Sequence, residues 1–400
     1  MKKQLLLFLG ILTFSISSAQ TFTYEGINYS VTGVNQVTVA SNTTASGPLN
    51  LNNAVTDGTN VYSVVSISDY AFSGSGITSV TIPNTINSVG NFAFENCTSL
   101  TSFNSGIRAS SIGNSAFSGC SSLNSITFST RVETIGSGAF ENCTSLTSIT
   151  IPPMITSIKN NTFYGCSALN SIVFDESVTS IENNAFAGCS ALTSITLPKW
   201  LKTVGTGAFE STGLTSVVLP DGLTSIGFGA FGGCRDLASV TIPFSVTSIG
   251  NYAFNFCTNL NSISCSIVTP LVINANVFSF VNQAACKLIV PTNSVNLYKA
   301  ANVWKDFSPI TDNSNLKVDD FSLQNKIQLY PNPAKNEVFL QLQSLKNAQL
   351  QVVNVNGGVV ISQQLNNTTN TINTTNLPNG IYLFRVSTDE GITTTKILKN

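Results

Sequence analysis

Cysteines are the residues whose spacing in this sequence most invites chemistry. Seven of the nine stand three residues after a phenylalanine, and they are Cys97, Cys120, Cys143, Cys166, Cys189, Cys234 and Cys257. Thiolates hold metal ions and form disulfides, yet no Cys-x-x-Cys spacing occurs, and equivalent positions of a stacked repeat all face the same way. The pattern therefore favours a ladder of buried, free thiols. Cys265 and Cys286 lie outside this series, and the sequence leaves open whether these two form a disulfide.

Side chains for acid-base catalysis are scarce. The chain has no histidine, which excludes His-based general acid-base catalysis, Ser-His-Asp and Cys-His nucleophile systems and HExxH zinc sites. Hydrolysis of a glycan would need paired carboxylates across a cleft. The repeats offer only scattered ones, namely Glu95, Glu133, Glu141, Glu182 and Glu210. We predict that the protein is not an enzyme and that it holds no metal and no cofactor.

Charge and the two ends of the sequence indicate where the protein works. Only 9% of the 400 residues are charged and the net charge is -1, which gives no electrostatic attraction to nucleic acid. Lys2 and Lys3 precede an apolar run from Leu5 to Phe14, which is typical of a secretory signal peptide over residues 1–19. No later stretch is apolar enough to cross a bilayer, so we expect no transmembrane segment.

The middle of the chain is a repeat, and this repeat must position any binding residues. Phenylalanine recurs at spacings of 22 or 23 residues from Phe72 to Phe254, nine times in all, and Ile or Val stands five residues before each. After each Phe follows an alternating run such as Leu146–Pro152, whose Leu and Ile side chains should point inward. One repeat cannot bury enough apolar surface to fold alone, so the coils must stack. We predict a mainly β solenoid of about nine coils.

Outward strand positions of these coils form two columns of small polar residues. Serine fills the first column in all nine repeats, and mostly hydroxyl residues fill the second. Candidate binding residues on this neutral face are Ser148, Thr150, Ser171, Ser194 and Thr196. A duplicating repeat would equally keep any small residue that suits a β-strand, and the face lacks the aromatic platforms usual in sugar recognition.

Exposed aromatic residues are expected in the turns instead. Trp200 stands between Lys199 and Lys202 and could bury area, donate a hydrogen bond and make cation-π contacts, so these three residues are further binding candidates. Covering the edge of a coil is an equally good use for the tryptophan. A discontinuous aromatic edge is a further option, with Phe244, Tyr164, Tyr252 and Phe256.

The repeat resembles a known family. Ser245 to Gly250, followed by Ala253, Phe254, Cys257 and Leu260, is similar to the BspA-type leucine-rich repeat, and the resemblance covers roughly residues 60 to 265. The stretches Lys287–Pro291, Tyr298–Ala300 and Val303–Phe307 resemble the C-terminal cap of that family. Members are mostly surface or secreted proteins, some of them linked to adhesion. The resemblance implies binding rather than catalysis and transfers no binding residues.

The last eighty residues differ from the repeat. Alternating runs at Val338–Leu342, Leu350–Val355 and Ile381–Val386, with turns at Asn356-Gly357 and Pro378–Gly380, predict a small β-sandwich. Three motifs, Leu329–Ala334, Leu377–Tyr382 and Thr395–Lys399, resemble the C-terminal sorting domain of the type IX secretion system. The resemblance implies that the protein has the type IX secretion machinery as a partner. It also implies a location in the medium or on the outer-membrane surface.

The sequence thus predicts a leucine-rich-repeat solenoid with caps, followed by a small β-sandwich. The expected order is signal peptide (1–19), N-terminal cap (20–59), solenoid (60–265), C-terminal repeat cap (266–311), linker (312–324) and sorting domain (325–400). Tyr24–Val31 and Gln36–Ala40 are the strand candidates of the N-terminal cap. The predicted function is binding or adhesion to a protein or glycan. A structural surface coat and a glycan-binding accessory protein of a polysaccharide-degrading system are the alternatives.

Overall fold

The computed structural model describes residues 20–313, 327–342, 348–354, 358–388 and 391–400. The chain forms two compact units, one ending at Asp312 and the other starting at Asn313. Each unit has a separate hydrophobic core. The predicted signal peptide, nearly all of the predicted linker and the predicted Asn356-Gly357 turn lie outside the described residues.

Short strands make up the first unit. They are β1 (Thr21–Tyr24), β2 (Ile27–Gly33), β3 (Gln36–Val39), β4 (Ser46–Asn50), β5 (Ala54–Thr56), β6 (Val61–Ile67), β7 (Gly76–Thr81), β8 (Ser88–Val89), β9 (Ser102–Asn104), β10 (Ser111–Ile112), β11 (Ser125–Thr127), β12 (Thr134–Ile135), β13 (Ser148–Thr150), β14 (Ser157–Ile158), β15 (Ser171–Val173), β16 (Ser180–Ile181), β17 (Thr203–Val204), β18 (Ser216–Val218), β19 (Ser225–Ile226), β20 (Ser239–Ile242), β21 (Ser248–Ile249), β22 (Ser262–Cys265), β23 (Lys287–Val290) and β24 (Ile310–Asp312). Helix α1 spans Val295–Ala300, and 3-10 turns span Ala275–Phe278, Gln283–Ala285 and Trp304–Asp306.

All but one of the coils contribute one strand to each of two parallel arrays. We call the array β4-β7-β9-β11, β13-β15 and β18-β20-β22-β23-β24 the long-strand face, and the array β6-β8-β10-β12 and β14-β16-β17-β19-β21 the short-strand face. Pairing joins equivalent residues of successive repeats, as in Ser79 with Ser102 and Ile112 with Ile135. The period of the sequence therefore sets the strand register, which makes the first unit the predicted solenoid.

A stack of phenylalanine rings runs through the core. Neighbouring rings from Phe72 to Phe254 have centroids 5.2 to 5.6 Å apart and lie within 11° of parallel. Phe278 continues the stack as a tenth ring, 5.5 Å from Phe254. We call the turns that carry these rings the Phe turns. Their backbones also bond from coil to coil, for example from Phe140 N–H to the Thr162 carbonyl.

The long-strand face is interrupted twice. At the first interruption, β11 does not pair with β13 in the described structure. At the second, the stretch 192–198 between β15 and β18 forms no strand, so the expectation of a strand after every stacked Phe is wrong for this coil. Each break follows a coil in which Phe128 or Phe174 stands where most other coils have Ile or Leu. These two rings pack edge-on against stacked rings at 5.9 and 6.0 Å. Because they need more room than Ile, the following coil stands off.

The short-strand face is interrupted once, between β12 and β14. Gly113 follows the strand of its coil, and a Cβ there would lie 2.5 Å from the backbone nitrogen of Asn91 in the coil before. Lys159 occupies this glycine position directly after β14. Glu182 holds the same position directly after β16, and β16 pairs with β14, so a side chain at this position does not by itself separate two coils.

Both ends of the solenoid are covered. At the N-terminus β1 and β2 form an antiparallel hairpin through Glu25 and Gly26, which have positive φ angles of 48° and 78°. The predicted single strand over Tyr24–Val31 is therefore wrong, because its glycine allows a tight turn. At the C-terminus Trp304 is fully buried against Phe278, and its indole N–H donates to the Leu271 carbonyl at 2.8 Å.

The second unit is a pair of antiparallel sheets. Its strands are β25 (Ile327–Tyr330), β26 (Glu337–Leu342), β27 (Ala348–Asn354), β28 (Val359–Leu365), β29 (Thr369–Asn373), β30 (Gly380–Thr388) and β31 (Gly391–Lys399). One sheet has the order β25-β26-β29 and the other β28-β27-β30-β31. Val338, Leu350 and Phe384 from the two sheets share one core, as alternation in the sequence predicts.

Candidate binding surface

The predicted hydroxyl residues lie on the long-strand face, but not on one continuous sheet. Ser148 on β13 pairs with Ser171 on β15, and Thr150 pairs with Val173. Ser194 and Thr196 are exposed on the stretch that forms no strand. The structure therefore brings Ser148, Thr150 and Ser171 together on two paired strands and leaves Ser194 and Thr196 beyond a break in the sheet.

The first break opens a groove. A cavity of 420 Å³ lies between β11 and β13 and is lined by Ile126, Phe128 and Pro152 among others. An adjoining cavity of 690 Å³ also reaches Phe128. Ile126 is half-buried, whereas Ile149 at the same repeat position is only 4% exposed. The break thus exposes apolar surface that other coils bury.

The turn around Trp200 is a second, separate candidate. Trp200 is 53% exposed, and the Lys199 ammonium lies 4.9 Å from the centre of its ring. The backbone N–H of Lys199 donates to the carboxylate of Glu176 at 2.9 Å, which ties the turn to the preceding coil. Lys202 is exposed at the start of the next strand and bonds through its backbone to both neighbouring coils.

The thiols form the predicted buried series. Each repeat cysteine donates its S–H to the carbonyl of the stacked Phe of the preceding coil, as Cys166 does to Phe140 at 3.1 Å. Burial raises the pKa of Cys166 to about 12, so its thiol is neutral at ordinary pH. Ser75 and Thr212 replace cysteine in two coils, and both are buried against the Sγ of the next cysteine. The series therefore fills the turns and offers no nucleophile to solvent.

Cys265 and Cys286 are both free and buried. Pairing of β22 with β23 sets Ser262 opposite Lys287, so Cys265 lies about four residues along the strand from Cys286. That offset corresponds to about 13 Å, beyond the roughly 7 Å that a disulfide can bridge. Cys265 instead lies 3.2 Å from the Tyr298 hydroxyl. A disulfide between the two cysteines is therefore excluded in this fold.

Of the scattered carboxylates, Glu182 is held by neighbouring polar side chains. Glu182 accepts hydrogen bonds from the Ser157 hydroxyl at 2.7 Å and the Lys159 ammonium at 3.1 Å. Partial burial alone would raise the pKa of Glu182, but these bonds outweigh it and lower the pKa. Across the described part of the chain, no group of three or more acidic or cysteine side chains is placed to hold a metal ion.

Aromatic residues in the Phe turns are a third surface feature, and the sequence analysis identified only some of them. The nine Phe turns from Phe72 to Phe254 have left-handed backbone positions two residues before and two after the ring, and the turn of Phe278 has only the second, at Phe280; a bulky residue there costs roughly 1–2 kcal/mol. Gly, Asn or Ser fills them in the middle of the solenoid, but at the two ends aromatic residues do, with φ of 56° to 65°: Tyr70, Phe92, Tyr252, Phe256 and Phe280. Aligning the repeats by their Gly and Asn positions could have found all five.

Comparison with protein families identified two regions. The BspA type leucine rich repeat region matches residues 60–169 and 156–285, in six copies. The secretion system C-terminal sorting domain matches residues 328–400. No match was found among curated proteins. Within the described residues, no helix has the length and hydrophobicity to cross a membrane.

Solved structures with similar folds are bacterial leucine-rich repeat proteins. A leucine rich cell surface protein from Faecalibacterium prausnitzii is 24% identical, with 74% of this chain and 94% of that chain covered and a TM-score of 0.47. A leucine-rich repeat protein from Bacteroides ovatus is 24% identical over 72% and 98%, with a TM-score of 0.44. The pneumococcal vaccine antigen PcpA is 17% identical over 74% and 98%, with a TM-score of 0.36.

Proposed function

The chain belongs to the BspA-type leucine-rich repeat family, and we propose that it is a non-catalytic binding or adhesion protein that presents its solenoid to a protein or glycan outside the cell. The sorting domain at residues 328–400 directs type IX secretion to the cell surface or the medium. A protein exported in this way meets its partners on other surfaces, and a solenoid offers a long face for such contacts.

The exposed Trp200 is the observation that carries this proposal. Aromatic anchors beside a cation are typical of residues that dominate a binding interface. The ring is half exposed although the Lys199 ammonium is held against it, and the hydrogen bond to Glu176 fixes the turn before any partner arrives. A preorganised anchor loses little conformational entropy on binding.

The test compares two substitutions at the same repeat position. Met154 occupies the place of Trp200 two coils earlier and is 49% exposed, so Met154→Ala is a matched control for Trp200→Ala. Purified protein is incubated with intact cells, with immobilised matrix proteins and with insoluble polysaccharides. We expect Trp200→Ala to weaken retention by about tenfold or more, and Met154→Ala to leave it unchanged.

Two outcomes would contradict the proposal. Retention on none of these surfaces would favour a structural coat component, which needs no partner outside its own layer. Hydrolysis of any of the polysaccharides would contradict the non-catalytic assignment.

A further inference from the structure

Four exposed aromatic side chains lie, as two pairs, in the last three Phe turns of the solenoid. Phe256 and Phe280 stack with ring centroids 4.1 Å apart, and Phe228 meets Tyr252 edge-on at 5.4 Å. Phe280 is 68% exposed and Phe228 is 51% exposed, so much of this ring area faces solvent. We call these four residues the C-terminal aromatic cluster.

The turns themselves do not need these rings. Tyr252, Phe256 and Phe280 hold left-handed backbone conformations that Asn adopts more easily, as Asn142 and Asn161 do at the same repeat positions. The rings are also only partly buried, with Tyr252 and Phe256 38% and 39% exposed. Strained aromatic residues with exposed faces are better explained by a ligand than by the fold.

The surroundings of the cluster are polar and carry no net charge. The three turns that carry it, residues 227–236, 250–259 and 274–283, contain one exposed pair of opposite charges, Arg235 and Asp236, and several amides, of which Asn251 and Asn282 are exposed. Amides donate and accept hydrogen bonds, as sugar hydroxyls do. Because the charges of Arg235 and Asp236 cancel, the turns offer no net charge to attract a charged partner. The other aromatic pair, Tyr70 and Phe92, lies beside Asp69.

We propose that the C-terminal aromatic cluster is a docking platform for an uncharged polysaccharide. The faces of the rings pack against the C–H faces of the sugar rings, and the flanking amides bond to their hydroxyl groups. The proposal rests on the binding function above and deepens it by naming the ligand class. The site is distinct from the Trp200 turn, so the two proposals can fail separately.

The experiment measures depletion of the purified full-length protein from solution by insoluble cellulose, chitin and mannan, with the charged polymer polygalacturonate as a comparison. We expect depletion by at least one neutral polymer and none by polygalacturonate. The triple variant Tyr252→Asn, Phe256→Asn, Phe280→Asn should weaken that binding by about tenfold or more. Its thermal midpoint should stay within about 4 °C of the wild-type value, because relief of the strained backbone offsets lost stacking.

Tyr70→Asn is the matched control, since Tyr70 is 52% exposed and holds the same left-handed repeat position as Tyr252 at the other end of the solenoid. It should bind like the wild type. If the triple variant fails to fold, Phe280→Asn alone decides, because that ring is the most exposed of the four. Depletion by none of the neutral polymers, by polygalacturonate equally well, or by the variant as by the wild type overturns the proposal. Retention on cells or matrix proteins that depends on Trp200 would leave the binding function standing.

Discussion

Single thiols in this protein carry a pH dependence that the fold imposes on them. Burial raises the pKa of Cys166 from its ordinary value of 9.0 to about 12, and burial likewise raises the pKa of Cys143 and Cys189. In the unfolded chain these thiols regain their ordinary acidity. Between about pH 9 and pH 12 the unfolded state therefore releases protons that the folded state keeps, and the free energy of unfolding falls as pH rises.

We expect Cys166→Ser to flatten this alkaline loss of stability. Serine is a matched replacement because Ser75 fills the same repeat position in another coil. Each thiol whose pKa is raised in this way contributes a slope of about 1.4 kcal/mol per pH unit within the window, so the variant should lose one such contribution. Urea unfolding at about pH 8 and about pH 10.5 measures the difference. Equal slopes for both proteins would show that the thiol titrates similarly in the folded and unfolded states.

At the level of the strand, one aromatic side chain decides whether two coils pair. Phe128 stands where most other coils have Ile or Leu, and β11, which precedes it, does not pair with β13. We expect Phe128→Ile to let the coils close, which would slow amide hydrogen exchange in residues 147–150 by about tenfold or more, since each new hydrogen bond must open before exchange. Exchange is followed by mass spectrometry of peptides from the native protein.

Phe174→Ile is the reciprocal control, because Phe174 precedes the second break. It should protect residues 193–196 and leave residues 147–150 unchanged. Unchanged exchange at residues 147–150 in Phe128→Ile would mean that ring size does not cause the break.

The periodic part of the structure could be predicted from the sequence because every coil repeats the same burial pattern. Phe72 to Phe254, the strand columns and the thiol series follow directly from that period. The breaks could not be predicted, because a Phe at position 128 in place of Ile keeps the hydrophobic pattern of the repeat and changes only the volume of the side chain. Of the candidate binding residues, the sequence identified exposed positions such as Trp200, but it could not tell that the hydroxyl face is divided.

For the molecule as a whole, two separate cores predict that each unit folds without the other. The core of the solenoid and the core of the second unit share no residue. Removing residues 325–400 should therefore leave the thermal midpoint of the solenoid within about 4 °C of its value in the full chain. Calorimetry measures this. If the solenoid unfolds at a much lower temperature without the second unit, the two cores stabilise one another.

The same truncation should stop export, because the sorting domain lies in the removed segment. Fractionation of the native host is expected to find the truncated protein inside the cell envelope and the full chain outside. Trp200→Ala is the matched control, since its sorting domain is intact and it should leave the cell normally. Truncated protein in the medium in normal amounts would contradict a role of this segment in export.

The junction between β11–β12 and β13–β14 has a mechanical consequence. Strand pairing is missing there on both faces of the solenoid, while the Phe turns stay bonded through Gly138 to Asn160, Phe140 to Thr162 and Asn142 to Tyr164. A bending load, such as fluid flow on a protein held at a surface, is therefore concentrated at this joint. The row of Phe turns acts as the axis of bending, and the two faces without strand pairing open or close. The segments on either side rotate as rigid bodies and keep their own hydrogen bonds.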